Sequence, residues 1–494
     1  MSKIIEFILK EKVLLFSLFI LILLSRLCFL GSSLWHDDVF NFVDKAITLA
    51  VSGEYLNAHS TGYPFWIILL ALAMKIGHFL TNQWSIVFLP NLVSAIFGSL
   101  LLFPVYTLTK KILNNVYYSL LASVVVFANP IIWRWSEIAM SDIFALFFIF
   151  YAIVFFIDFT EKDKNKYLWL SSLFFYLALM SRILYGLVLL PFIIFYLVSK
   201  KQFNFKKLFY IIVNWSLAIM VMVFTYGLFH NFDFLIVFSG YGSIMPSFKE
   251  FLLSSAIILK SVGSVMIFMS GLGLIYLFKR NKKYFYFLLS LLIVFFCYLS
   301  TWYKNGLFDI ERYSILLTVI LLIIAGYCLV INKTTRILFG ISFFVLLLAF
   351  INGIDIPLDK YRNYGLTYAF SENHFINYAA KASQLNLQTK ADGDLQAYQN
   401  LAGYINDQDI VFHWDKDWGM PKLLLAGEYL PKKALLVSID SEEALKEKID
   451  EYQYKRIYLL RGAYDTYLEI MDEYKPVETA VLNNRYIIKF IPSD

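Results

Sequence analysis

Four short polar groups carry the residue types able to do chemistry in a chain that is otherwise strongly apolar. The first is Trp35-His36-Asp37-Asp38, two adjacent carboxylates just after the first hydrophobic run. The second runs from Ser136-Glu137 to Ser141-Asp142, the third is Ser181-Arg182, and the fourth runs from Asp309 through Glu311-Arg312-Tyr313. Carboxylates deprotonate a hydroxyl or hold a cation, and arginine grips a phosphate bidentately. Such groups are costly in lipid, so they belong in water at a membrane surface or in a polar cavity. Each also has a plainer reading. Asp37 and Asp38 would be a solvated helix-end pair, and Ser141 or Asp142 a helix N-cap. Arg182 would reach for headgroups, and Glu311 and Arg312 would form a local ion pair. His36 and His59 lack tight metal-ligand spacing, so with Asp37 they make a weak metal signal. His413 reads as a strand end, and Asp44 and Glu54 as solvated loop charges.

The elements that must position these groups follow from composition. Hydrophobic residues make up 59% of the chain and charged ones only 16%, with a mean hydropathy of +0.64. A soluble globular protein does not reach such values. The net charge of +6 sits in short clusters between apolar runs, the mark of cytoplasmic loops and not of a nucleic-acid partner. Cys28, Cys297 and Cys328 all fall in apolar stretches, which excludes a disulfide framework or a CxxC metal site. Met1 to Lys12 is basic and precedes an apolar run without a small-residue cleavage site, so it reads as a retained first helix.

Apolar segments fall at 13–30, 62–80, 85–109, 116–130, 141–158, 167–180, 183–199, 208–229, 252–278, 284–301, 313–331 and 335–353. A membrane span takes about 20 apolar residues, so several are comfortable and a few short. The basic loops Lys162/Lys164/Lys166, Lys200/Lys201/Lys206/Lys207, Lys279-Arg280/Lys282-Lys283 and Lys333/Arg336 are assigned to the cytoplasm. That puts 131–140, Ser181-Arg182, 230–251, 302–312 and everything after 354 outside. Lys3, Lys10 and Lys12 put the N-terminus inside and Asp37/Asp38 outside. Twelve crossings would bring the chain back to its starting side, whereas the charges require an odd number. Either 62–80 or 116–130 does not fully cross, or a long segment hides a break. The expectation is a mostly α, polytopic transmembrane bundle of about 11–13 spans, with 11 plus one short or membrane-parallel helix preferred.

Beyond 357 the apolar runs shrink to strand length. Asp409 to His413, Ala434 to Ile439 and Arg456 to Leu460 read as buried strands. Glu442 to Tyr452 between the last two reads as an amphipathic helix, with Asp440 as N-cap and Glu443 at N3. Strand–helix–strand order predicts a small parallel α/β domain, with Asn483-Asn484 as a hairpin turn at its edge. The domains are therefore 1–356 in the membrane and 357–494 as a soluble α/β unit outside it. No Gly-rich phosphate loop follows any of these strands.

The layout resembles a known superfamily. Trp35-His-Asp-Asp-Val-Phe, Ser52-Gly-Glu-Tyr55 and His59-Ser-Thr-Gly-Tyr63-Pro-Phe65 are similar to the first outer loop of the GT-C membrane glycosyltransferases. The nearest resemblance is to protein O-mannosyltransferases and lipid A aminoarabinose transferases, whose first loop usually carries Asp-Glu where this chain has Asp37-Asp38. Ser136 to Phe148 resembles their second outer loop. Leu177-Ala-Leu-Met-Ser-Arg182 with Leu190-Pro191 resembles the stretch whose basic residue contacts the donor phosphate. Arg312-Tyr313 resembles the start of a late helix. The resemblance implies an inverting transferase in the plasma (inner) membrane. It would move a sugar from a polyprenyl-phosphate donor to a hydroxyl of a lipid, glycan or protein acceptor on the extracytoplasmic face. It implies Asp37 or Asp38 as general base, Asp37 preferred, and Arg182 on the leaving phosphate. Asp142 would position acceptor or base, and Glu137, His59, Tyr63, Arg312 and Tyr313 would line the substrate site. A divalent cation is left open as a cofactor.

Two other classes compete. A polytopic transporter or lipid flippase would show internal repeats and charges near the midplane; the halves show no convincing repeat, and the acids gather at one face. A membrane scaffold would not need acids and an arginine clustered at one face.

Overall fold

The structure is a computed structural model. It describes residues 2–28, 30, 37–56, 63–82, 85, 87–199, 204–229, 248–303, 310–352, 410–414, 435–439, 441–451, 457–459, 478–482 and 485–490. These are mostly helical. The helices are α1 (Ser2–Leu27), α2 (Asp37–Ser52), α3 (Pro64–Thr81), α4 (Phe88–Leu100), α5 (Leu102–Leu113), α6 (Val116–Phe127), α7 (Pro130–Trp135), α8 (Ser141–Lys162) and α9 (Asn165–Ser181). A 3-10 turn (Ile183–Val188) leads into α10 (Leu189–Ser199). Then come α11 (Phe205–Phe229), α12 (Phe248–Val262), α13 (Ser264–Arg280), α14 (Lys282–Tyr303), α15 (Ile310–Tyr313), α16 (Ile315–Gly326) and α17 (Lys333–Asn352). Among the described residues two compact units form. One lies within 1–30, 59–66 and 94–386, the other within 31–58, 67–93 and 387–494.

Among the described residues each of the apolar segments is helical over most of its length. Five helices are long and apolar enough to cross a membrane by length and composition, among them α8, with 22 residues. A sixth is possible if one bent pair counts as a single span. That pair, Glu250–Leu259 and Ser264–Arg280, covers the segment 252–278, which hides a break: its halves meet at 99°. The hinge is Gly263, at φ 85, in the left-handed region that suits glycine.

The first unit has two chemically distinct ends. At one end lysines meet carboxylates. Lys110 on α5 pairs with Glu11 on α1 at 2.7 Å. Lys111 reaches Asp158 at 2.7 Å and Glu161 at 3.2 Å on α8. Lys283 on α14 also holds Glu161 at 2.7 Å, and Lys207 on α11 pairs with Asp163. At the other end Arg26 on α1 donates to the carbonyl of Phe127 on α6 at 2.9 Å, Asn129 donates to the carbonyl of Ser261 at 2.8 Å, and Arg182 meets Asp142.

These contacts fix the direction of the helices within the first unit. The chain leaves this unit at Trp66, whose indole N–H donates to the Ala139 carbonyl at 3.3 Å. It returns through Gly98, where an added Cβ would lie 2.2 Å from the Cβ of Ser136. Both points are at the arginine end. The chain also stands at the arginine end at Tyr226 of α11 and again at Ser261 of α12. Among the described residues ten helical passages join the two ends, made by α1, α4–α5, α6, α8, α9, the 3-10 turn with α10, α11, α13, α14 and α16. The last of these finishes at the lysine end, from which α17 departs.

One stretch expected as loop is a helix. In α2 the residues Val39, Phe42, Val43, Ala46, Ile47 and Ala50 are buried, a 3.6-residue stripe. Asp44, expected in solvent, is 3% exposed and pairs with Lys45 at 2.7 Å. The amphipathic period outweighs the polar look of the segment.

In the second unit five strands form one sheet in the order β2-β1-β3-β5-β4. They are β1 (Ile410–Trp414), β2 (Leu435–Ile439), β3 (Ile457–Leu459), β4 (Glu478–Leu482) and β5 (Arg485–Phe490). β1 pairs in parallel with β2 and β3, and β5 runs antiparallel to β3 and β4. A helix, α18 (Glu442–Glu451), follows β2. Its first turn is capped by Ser441, whose hydroxyl accepts from the Ala444 N–H at 3.2 Å. Asp440 and Asn483-Asn484 lie outside the described residues.

α13 and α16 touch backbone to backbone at Gly273, where a Cβ would stand 2.2 Å from the carbonyl oxygen of Ile324. Gly273→Ala is expected to lower stability by about 1–3 kcal/mol through overpacking. A drop in the thermal unfolding midpoint of the detergent-purified protein checks this, with Gly271→Ala, which meets nothing within 4 Å, as the control.

Candidate active site

α8 begins at Ser141 after an extended Met140, and no side chain caps it. The Asp142 carboxylate, read as a possible cap, turns instead to Arg182 at the end of α9. Arg182 Nη2 donates to Asp142 Oδ2 at 2.5 Å. Both residues are enclosed, Arg182 3% and Asp142 4% exposed. The arginine therefore does not reach toward headgroups. It is a buried cation held by a charge-assisted hydrogen bond.

Two aromatic rings lie beside the guanidinium. Arg182 Cζ is 5.5 Å from the ring of Tyr63 and 5.3 Å from that of Tyr313, within cation–π range. Tyr63 sits at φ 48 immediately before Pro64 opens α3, a backbone state uncommon for a bulky residue. Arg312 lies 5.0 Å from the Tyr313 ring and donates to the Tyr313 hydroxyl at 3.0 Å. Five residues picked from sequence, Tyr63, Asp142, Arg182, Arg312 and Tyr313, thus converge from four stretches of the chain. Sequence reading passed over Tyr185, which is buried within electrostatic reach of both Asp142 and Arg182.

Glu137 has a different neighbour. It is fully enclosed and faces Arg26, another residue passed over, although a lone arginine in the apolar run of α1 was a signal in itself. Asp37 and Asp38 sit on the first turn of α2, and their side chains lie outside the described part of the structure, as does His59. Glu311 is in α15, its side chain likewise outside. Among the described residues no three His, Cys, Asp or Glu side chains gather as a cation site would require.

Burial pushes the Glu137 carboxyl up to about 9, with the charge of Arg26 and the Trp133 indole drawing it part of the way back. The folded protein then holds a proton that the unfolded chain releases above its ordinary value of 4.5. That contribution to stability is complete below the unfolded value and fades as pH rises toward the folded one. Thermal melts of wild type between pH 5 and 9 are expected to fall with pH, and Glu137→Gln to flatten the slope.

Comparison with known proteins gives two findings. A family model described as Dolichyl-phosphate-mannose-protein mannosyltransferase matches residues 61–226, about a third of the chain. That stretch contains Tyr63, Asp142 and Arg182. The fold is similar to that of ArnT from Cupriavidus metallidurans in the apo state, with a TM-score of 0.60 and 14% identity over 96% of this chain and 97% of that one. At that identity the likeness is one of fold. Together the two matches bear out the resemblance to the GT-C membrane glycosyltransferases seen in the loop motifs.

Proposed function

We propose that this protein is a membrane glycosyltransferase that takes a sugar from a polyprenyl-phosphate donor and passes it to an acceptor hydroxyl. The observation that carries the reading is the enclosed guanidinium of Arg182, directed by Asp142 and flanked by the rings of Tyr63 and Tyr313. A guanidinium fork held in one direction suits a phosphate, and a lipid phosphate supplies one from the bilayer. In the transfer, negative charge grows on that phosphate as the bond to the anomeric carbon breaks, and Arg182 stabilises it there. Tyr63 and Tyr313 hold the guanidinium in place, and Asp142 fixes its direction.

Asp37, on the first turn of α2, takes the proton of the acceptor hydroxyl as it attacks, with inversion at the sugar carbon; Asp38 is the neighbouring candidate. His59 would help to line the acceptor side. Asp142 would help to hold a divalent cation where one is used. Asp142 already commits one oxygen to Arg182, and no step above depends on a cation. The lysine end faces the cytoplasm by the positive-inside rule, and the arginine end faces outward. With α17 returning outward the chain crosses about eleven times. Residues 357–494 then form an extracytoplasmic α/β domain on a multi-pass protein of the inner membrane. Charges at one end of α8, and not midway along it, favour a transferase over a transporter.

Purified protein supplied with polyprenyl-phosphate sugars tests the reading. Asp37→Asn is expected to lower transfer by about 10²–10⁴-fold while donor binding persists, since it removes only the base. Arg182→Lys keeps the charge but loses the fork and is expected to weaken donor binding. Undiminished transfer in both Asp37→Asn and Asp38→Asn would remove the base, and equal donor binding by Arg182→Lys and wild type would remove the phosphate site.

A further inference from the structure

We propose that Arg26 is a positioning residue, which sets the 136–140 segment and through it the placement of Asp142 against Arg182. The inference rests on the reading of Asp142 and Arg182 as donor-site residues.

The start of α8 has no capping side chain, so something else must fix where its first turn lies. Arg26 is 3% exposed, and its donors fan out over fixed partners. Nη2 donates to the Phe127 carbonyl at 2.9 Å, Nε to the Ser136 hydroxyl at 3.4 Å, and Nη1 to the Ser25 hydroxyl at 2.8 Å. The guanidinium also lies 5.7 Å from the Trp133 ring. Because the fork is planar and rigid, these contacts lock α1, the end of α6 and α7 into one geometry.

Ser136 is the hinge point of that lock. Its hydroxyl donates back to the Ile132 carbonyl at 2.6 Å, and the α4 backbone at Gly98 leaves no room for movement on its other side. Beyond it the Met140 N–H turns back to the Ile138 carbonyl at 2.7 Å. Trp66 holds the Ala139 carbonyl at 3.3 Å. No residue from Trp135 to Ile143 is more than 4% exposed. The segment leading into Asp142 is thus clamped by Arg26 at its start and by Trp66 near its end. Glu137, fully enclosed, belongs to the same segment and lies within electrostatic reach of that cation.

Removing Arg26 alone would strand a buried carboxyl, so the test pairs two changes. The full chain in detergent is compared as wild type, Arg26→Lys, and Arg26→Met combined with Glu137→Gln. Three quantities are read: the thermal midpoint, hydrogen exchange of peptides covering 136–146, and affinity for undecaprenyl phosphate in micelles. The double variant is expected to melt near wild type, to exchange faster over 136–146 only, and to bind the lipid phosphate about tenfold more weakly. Arg26→Lys should recover part of that affinity. Unchanged exchange over 136–146 overturns the proposal, as does faster exchange throughout the bundle with a lower midpoint, the mark of a general structural role. If wild type binds no undecaprenyl phosphate while the local exchange still responds, the donor reading fails and the positioning of Asp142 stands.

Discussion

A guanidinium enclosed among apolar helices must be held by a partner that does not move, and the arrangement around Arg182 follows from that requirement. Two charges leave water at considerable cost, and only close, well-directed contact offsets it. Asp142 supplies the contact at 2.5 Å. Its own position depends on the first turn of α8, which depends in turn on the enclosed segment before it. Tyr63 and Tyr313 then add ring faces beside the guanidinium. The result is a cation fixed in direction, with the guanidinium of Arg312 beside the same Tyr313 ring. That is the electrostatic state suited to receiving an anion.

The opposite end of the helices solves a different problem. Asp158 and Glu161 at the end of α8 each meet more than one lysine, tying α5, α8 and α14 together. These pairs are partly exposed, so singly they add little to stability. Their effect is on register: they fix which helix ends lie level. With both ends defined, a passage as short as α6, 12 residues, still has a clear direction. The breaks occur where the chain must turn without crossing, as at Gly263 between α12 and α13.

The order of the long apolar helices was written in the sequence. Long apolar runs leave a backbone in lipid no option but the helix, because every N–H and C=O must be satisfied within the segment. The apolar segments therefore emerged as helices, and the basic loops between them converged on one end. Asp142, Arg182, Arg312 and Tyr313 were found by residue type and by their place at helix ends, and Tyr63 by the resemblance of its loop to that of the GT-C transferases. That logic works because charge is rare in such a chain, and each instance is conspicuous.

What the sequence by itself determined is the class of fold, the alternation of ends and the set of charged residues available for chemistry. Tertiary structure decided who pairs with whom. Asp142 read equally well as a helix cap, and only the approach of α9 turned its carboxylate to Arg182. Asp44 read as solvated until the stripe of α2 enclosed it. Arg26 and Glu137 are more than a hundred residues apart, and no local pattern joins them. Hydrophobic periodicity and charge rarity are local properties, written residue by residue. The partner of a buried charge is set by helix packing, which sums contacts over the whole unit.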